Sequence, residues 1–301
     1  MLQQIPYRSL NDTSYRAGQP CEFGMACGQD LSGDGRVGEG RRRRALLGAL
    51  AVIALALAAC TAPPPPAADP EEAALLADFR RVAYGSEGPV LGNDGSERLR
   101  GDHLAKWVGP IRYALVDTQD AAQRAAAHVH FTDLAALTGL AITETSPAEA
   151  NFLVFYADDP FEAARRHRAL YAGRLANPRS FDALLARMEP RATCFGFLWG
   201  GWPSGQGIDF AVTFLRTDRG ARTVQGCLVQ ETTQALGLIN DLDLDAPSAF
   251  TDSGEHVELT GLDRLMVRLL YDEHLRPGMS WAEAEPLARA ALRNLGGTAK
   301  P

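Results

Sequence analysis

Apolar positions along the chain fall into segments with different spacings. Residues 45–59 (ALLGALAVIALALAA) are apolar without a break. At 1.5 Å per residue that run covers roughly 22 Å as a helix, short of a bilayer core of about 30 Å. Further on, residues 111–117 (IRYALVD) read as a strand, and residues 151–157 (NFLVFYA) read as a strand buried on both faces, because their apolar run is continuous. Two more strands are predicted at residues 194–199 and 208–216. Helical spacing predicts a short helix over residues 71–84 and a longer one over 120–139, closed by Gly139. PFEAARRHRALYAG and SFDALLARMEP read as two further helical stretches. A further helix is expected over 221–238, with Val224, Leu228, Ala235 and Leu238 at core spacing and Gly237 at its end. Strands and helices alternate without internal repeats, which predicts an α+β fold: a mixed β-sheet packed with helices.

The apolar run at 45–59 has Arg41 to Arg44 before it and Cys60 after it, the order of a signal peptide: charged, apolar, then small residues at the cut. Leu57-Ala58-Ala59-Cys60 resembles the lipobox of bacterial lipoproteins. That resemblance implies a lipid on Cys60, cleavage just before it, and a membrane-anchored protein of the cell envelope facing the periplasm. The opposing reading is a transmembrane anchor, which the length of the run disfavours. Residues 1–36 are Gly-rich and polar. They are either a disordered extension or non-native, with Val37 as the start of a signal peptide at 37–59. Residues 60–70 carry four consecutive prolines and form an extended tether, leaving 71–301 as a single globular domain.

Composition bounds the rest. The 301 residues are 46% hydrophobic and 22% charged, enough apolar material for a core. Cleavage before Cys60 would remove 7 of 30 basic and 5 of 37 acidic residues, leaving 23 against 32 and a net charge of about −9. An acidic domain of this kind is a poor partner for nucleic acid. Beyond Cys60 the processed chain keeps Cys194 and Cys227. In an oxidising compartment these two are expected to pair, the alternative being two separate buried thiols. No Cys/His cluster has metal-site spacing. His128 and His130 stand two apart on one helix, so they point to different faces.

Residues 230–241 read QETTQALGLIND. Gln230, Glu231, Gln234, Gly237 and Asn240 have the spacing of the metzincin motif His-Glu-x-x-His-x-x-Gly-x-x-His, which they resemble with all three histidines replaced by amides. In that motif two histidines at i and i+4 share a helix face, glycine turns the chain, and a third histidine completes a zinc site. The resemblance extends through Trp107, IRYALV, the helix from Asp120, Thr138-Gly139-Leu140 and Ala150-Asn151-Phe152. It continues with Ser248-Ala249-Phe250 at the place of the Met-turn and LTGLDRLMVRLLYD as the closing helix. It implies a zinc-protease architecture that has lost its zinc ligands, with no metal and no cofactor expected, since amide oxygens are far weaker zinc ligands than imidazole. Glu231 then has two readings. It is an inherited structural residue, or it is a catalytic acid or base whose pKa is set by its surroundings.

CLVQETTQALGLIND, SAFTD and LYDEHLRPGMSWAEA resemble a family of bacterial putative lipoproteins, the domain of unknown function 2927 family, over residues 70–295. That resemblance supplies architecture and location but no reaction. Asp241, Asp243 and Asp245 imitate the start of a calcium loop, with Asp252 at its twelfth position, but Ala246 occupies the place of the turning glycine, so a solvated acidic loop is expected. FLWGGWPSGQG (197–207) reads either as a ligand-stacking lip or as a hairpin loop whose tryptophans are tucked inside. The expected function is a non-catalytic binding module for a peptide, a peptidoglycan fragment or an envelope protein. The alternative is an envelope hydrolase that uses Glu231 as acid or base without zinc or with an atypical metal.

Overall fold

The computed structural model describes residues 69–85, 90–91, 97–98, 103–118, 120–174, 182–183, 185–186, 188, 192–200, 207–251 and 256–297. The leader, Cys60, the tether up to residue 68, Trp202 and Asp252 lie outside the described residues, as does most of SFDALLARMEP.

The first helix among the described residues, α1 (Pro70–Tyr84), begins where the tether was expected to end. Asp69 caps it by accepting from the Glu71 amide at 3.0 Å, and proline stands in its first turn, where its missing N–H costs nothing. A two-residue pair, β1 (Val90–Leu91) and β2 (Glu97–Arg98), follows. The main sheet is built from β3 (Ile111–Val116), β4 (Ile142–Glu144), β5 (Phe152–Ala157), β6 (Phe195–Gly200) and β7 (Ile208–Arg216). Its spatial order is β4-β3-β5-β7-β6. The first four in that order run parallel, and β6 pairs antiparallel with β7 at one edge.

Between β3 and β4 lies α2 (Ala121–Thr138), opened by the Asp120 carboxylate on the Ala122 amide and closed by Gly139 at φ 72°. Between β5 and β6 come α3 (Pro160–Arg166) and two short 3-10 turns; α4 (Ala221–Gln234), α5 (Gly261–Leu270) and α6 (Trp281–Gly297) follow β7.

Side chains alternate across each strand, and the sheet therefore separates two cores. Ile111, Tyr113 and Leu115 of β3 join Phe131, Leu228 and Met266 in the larger core, together with α1 and α6. Ala114 and Val116 face the other way, into a smaller aromatic core with Phe161 of α3 and with Phe155 and Phe214 stacked at 4.7 Å. The result is a mixed α+β fold with a mostly parallel five-stranded sheet, and it places α4 on the larger-core face beside the edge strand.

Candidate functional site

The site rests on how α4 ends. An α-helix leaves its last carbonyls without helical partners, and here the partners come from elsewhere in the chain. The Trp107 indole donates to the carbonyl of Ala235 at 2.9 Å, and the Tyr271 hydroxyl donates to that of Leu236 at 3.0 Å. The helix stops at Gln234, earlier than its apolar spacing suggests, and tightens through Leu236 N–H to Thr233 O and Gly237 N–H to Gln234 O. Gly237 sits at φ 124°, and a Cβ there would lie 2.0 Å from the Ala105 carbonyl oxygen. Glycine is required on both counts.

The segment that closes off the helix is itself pinned. The buried Lys106 ammonium donates to the carbonyls of Leu270 (3.1 Å) and Asp272 (3.0 Å), capping α5, and lies 5.5 Å from the Tyr271 ring centre. Burial pulls its pKa down to about 8, against the opposing pull of Asp272. The Ser248-Ala249-Phe250 turn is held from below by the fully buried Asp263, which accepts from the Ser248 hydroxyl (2.5 Å), the Ala249 amide (3.0 Å) and the Thr260 amide (2.8 Å). The same carboxylate completes the capping box of α5.

Gln230, half-buried, and Gln234, buried, point the same way from α4, as their i, i+4 spacing requires. Their amides converge on a single acceptor, the Asp241 Oδ1, at 3.3 and 2.8 Å. The expected third member, Asn240, is not part of this knot. Its amide turns away to the Arg81 carbonyl at the end of α1 (3.3 Å), and its side chain fills the space beside Gly85. The chain leaves the Gly237 turn one residue out of step with the expected third ligand, so Asp241 takes the inward position.

This donor set does not fit a zinc ion. Both glutamines present N–H groups to a carboxylate, where a cation needs converging lone pairs. Among the described residues, no group of three or more His, Cys, Asp or Glu side chains is placed to hold a metal.

Glu231, half-buried, points from α4 to the edge strand. Its Oε2 lies 3.4 Å from the place a Cβ would occupy on Gly196 of β6, and Gly196 is itself exposed. Cys194, just before β6, and Cys227, one turn before Glu231, are joined in a disulfide with their Cα atoms 5.9 Å apart. The bridge therefore fastens the edge strand to the helix at this point. Sequence reasoning paired the cysteines and singled out Glu231, but it gave Asp241 only to a solvated acidic loop and missed Gly196. Strand register alone places Gly196 opposite Thr213.

The remaining candidates lie apart from this site. Asp243 and Asp245 are exposed, and Asp243 pairs with Arg81 at 2.7 Å. His128 is exposed while His130 is buried against α4, in line with their expected opposite faces. Trp199 is half-exposed on β6, 5.6 Å from the Phe210 ring on the smaller-core side of the sheet. A second polar cluster caps the far end of β3, where Asp117 (φ 63°) binds His167 at 2.6 Å and Arg166 at 2.9 Å.

The fold and site thus define an α+β protein with an amide and carboxylate constellation on a helix fastened to the edge of its sheet. The chain belongs to the family described as Protein of unknown function (DUF2927), whose sequence profile matches residues 72–290, from the first turn of α1 into α6. Comparison with curated proteins finds no match.

Proposed function

We propose that this chain is a lipid-anchored cell-envelope protein with a degenerate metzincin-like frame, a binding module that takes an extended peptide segment in the groove between β6 and α4. The observation that carries this reading is the placement of β6. It is the edge of the sheet, it is fastened to α4 by a disulfide, and its exposed Gly196 stands directly in front of Glu231. An edge strand offers a row of main-chain donors and acceptors to an incoming strand, and main-chain pairing gives affinity without demanding a particular side chain.

The metzincin-like part of the proposal is supported by the order of the pieces. A first strand, a long helix with a glycine exit, the Gln-Glu helix, a pinned Ser-Ala-Phe turn and a closing helix occur in the sequence expected. The binding rather than catalytic part is supported by the knot, since Gln230 and Gln234 are spent on Asp241. The peptide can be free, part of a peptidoglycan fragment or part of an envelope protein, because the main chain is common to all three.

Amide hydrogen exchange of the domain with and without an alanine-rich pentapeptide tests the groove. Slowed exchange at residues 195–200 is expected, and protection confined to other regions would reject it. The same mixture, followed by mass spectrometry for cleavage products, tests the hydrolase alternative. Products formed by the natural protein and lost in Glu231→Gln would assign catalysis to Glu231.

A further inference from the structure

The direction in which each main-chain group of β6 points follows from its neighbour. In β7 the Ala211 amide donates to the Asn151 carbonyl and the Thr217 amide to the Ala157 carbonyl, both at 3.0 Å and both toward β5. Main-chain groups alternate between the two sides of a strand, so Val212 and Phe214 turn theirs toward β6. Their partners in register are Phe197 and Phe195. Gly196 and Leu198 therefore aim their amides and carbonyls away from β7, and neither makes a further backbone hydrogen bond among the described residues.

Side chains alternate in the same way. Phe195, Phe197 and Trp199 stand on the smaller-core face, and Leu198 stands on the larger-core face. Phe195 is buried, Phe197 and Trp199 are half-buried, and the three ring centres follow one another at 5.6 and 6.2 Å. Trp199 is propped on Phe210 at 5.6 Å. The edge thus presents two free main-chain positions with a row of rings on one face.

We infer that the peptide bound along β6 carries an aromatic side chain beside Phe197, at the residue between the two that face Gly196 and Leu198; the inference rests on the peptide reading above. In a strand added to β6, each side chain lies on the same face as the β6 residue beside it. The residue beside Phe197 therefore reaches the row of rings, and its two neighbours reach the face of α4. Side chains directly opposite start about 5 Å apart and diagonal ones about 7 to 8 Å apart. A short aliphatic side chain spans only the first distance and touches Phe197 alone. An aromatic ring spans both and packs on Phe197 and Trp199 together, in the edge or offset arrangements that rings favour. This requirement selects a protein segment as the occupant, because the short peptides of peptidoglycan hold no aromatic residue.

Three pentapeptides, Ac-Ala-Ala-X-Ala-Ala-amide with phenylalanine, alanine or lysine at X, test this by calorimetric titration. The phenylalanine peptide is expected to bind about three- to ten-fold more tightly than the other two, the size of an aromatic contact. That ratio should fall toward one in Trp199→Leu, which keeps an apolar side chain against Phe210, and should persist in Leu198→Ala on the opposite face. Thermal unfolding of both variants checks that they fold. In the natural protein, nuclear Overhauser contacts from the peptide ring to the Trp199 indole are expected, a readout that needs no variant.

Equal affinities of the three peptides, with binding intact, would overturn the aromatic position and leave the groove standing, as would a lysine peptide that binds as tightly as the phenylalanine one. A preference that survives Trp199→Leu, or a bound ring without contact to the Trp199 indole, would place the preference elsewhere and also overturn it. Failure of all three peptides to bind would remove the groove and the inference together.

Discussion

His130 is a base kept neutral by its surroundings. It is fully buried on α2 against α4, where Thr233 Oγ1 gives its proton to the Val229 carbonyl (2.6 Å) and so can only accept from His130 Nε2–H at 3.3 Å. Burial lowers its pKa from 6.5 to about 4, with Asp133 opposing and Arg264 assisting. Above pH 6.5 the imidazole is neutral in the folded and unfolded chains alike. Between 6.5 and 4 only the unfolded chain takes up the proton, so stability falls with pH across that window and levels off below it. The contribution reaches about 3 kcal/mol at about 1.4 kcal/mol per unit. His130→Gln should show a smaller loss of stability between pH 7 and pH 4.5 than the natural protein, measured by urea unfolding at each pH.

The knot at Asp241 gives a second test. Gln230→His with Gln234→His would put two imidazoles on the helix face that meets the Asp241 carboxylate, a two-histidine and carboxylate set suited to zinc. The double variant should bind zinc at roughly one ion per chain by elemental analysis, without any change at Asn240. If zinc binding requires Asn240→His as well, Asp241 does not hold the inward position.

The helical part of the site was legible because i, i+4 spacing fixes which side chains share a face. Beyond Gly237 the chain follows a turn set by Ala105, Trp107 and Tyr271, which lie far away in sequence. No local period could therefore distinguish Asn240 from Asp241.

At the scale of elements, the disulfide is the firmest link between the site helix and the edge strand. Its two cysteines are separated by 33 residues, and loop entropy gives a contribution of about 3 to 4 kcal/mol. Cys194→Ser with Cys227→Ser should lower stability by up to that amount in urea unfolding. It should also speed amide exchange in β6 more than in β3, because among the described residues β6 pairs only with β7 whereas β3 lies between β4 and β5. Uniform acceleration of exchange in both strands would mean that the bridge supports the whole domain and not this contact.

The elements with strong local signals were legible. β5 announced itself by its continuous apolar run, and α2 by its helical spacing and closing glycine. Other elements were not. Three-residue β4 exists because it pairs with β3, and its half-exposed or exposed Ile-Thr-Glu carries no apolar period of its own. The sequence reading placed no helix at α6, and Pro286 lies inside it, where proline ordinarily marks a helix boundary.

For the whole molecule, the proposed lipid anchor raises the question of what would hold the domain at a membrane. Among the described residues no helix is long and apolar enough to cross a bilayer. The described fold starts with the Asp69 cap, directly after the proline-rich stretch. On the proposed reading the anchor lies in the segment before Asp69, where the Leu-Ala-Ala-Cys sequence, closing a fifteen-residue apolar stretch that follows an arginine run, is suited to processing and lipidation at Cys60. A diacylated cysteine inserts two hydrocarbon chains, and at about 0.8 kcal/mol per buried methylene that is ample for stable anchoring. In cells fed labelled palmitate, the natural chain should take up label and partition into the detergent-rich phase. Cys60→Ala should take up none and accumulate as a longer, unprocessed precursor. A chain beginning at residue 69 should remain in the aqueous phase, because it lacks Cys60. Equal labelling of the natural chain and Cys60→Ala would rule out the lipid at Cys60, and detergent partitioning of the chain from residue 69 would instead place the membrane contact on the folded domain.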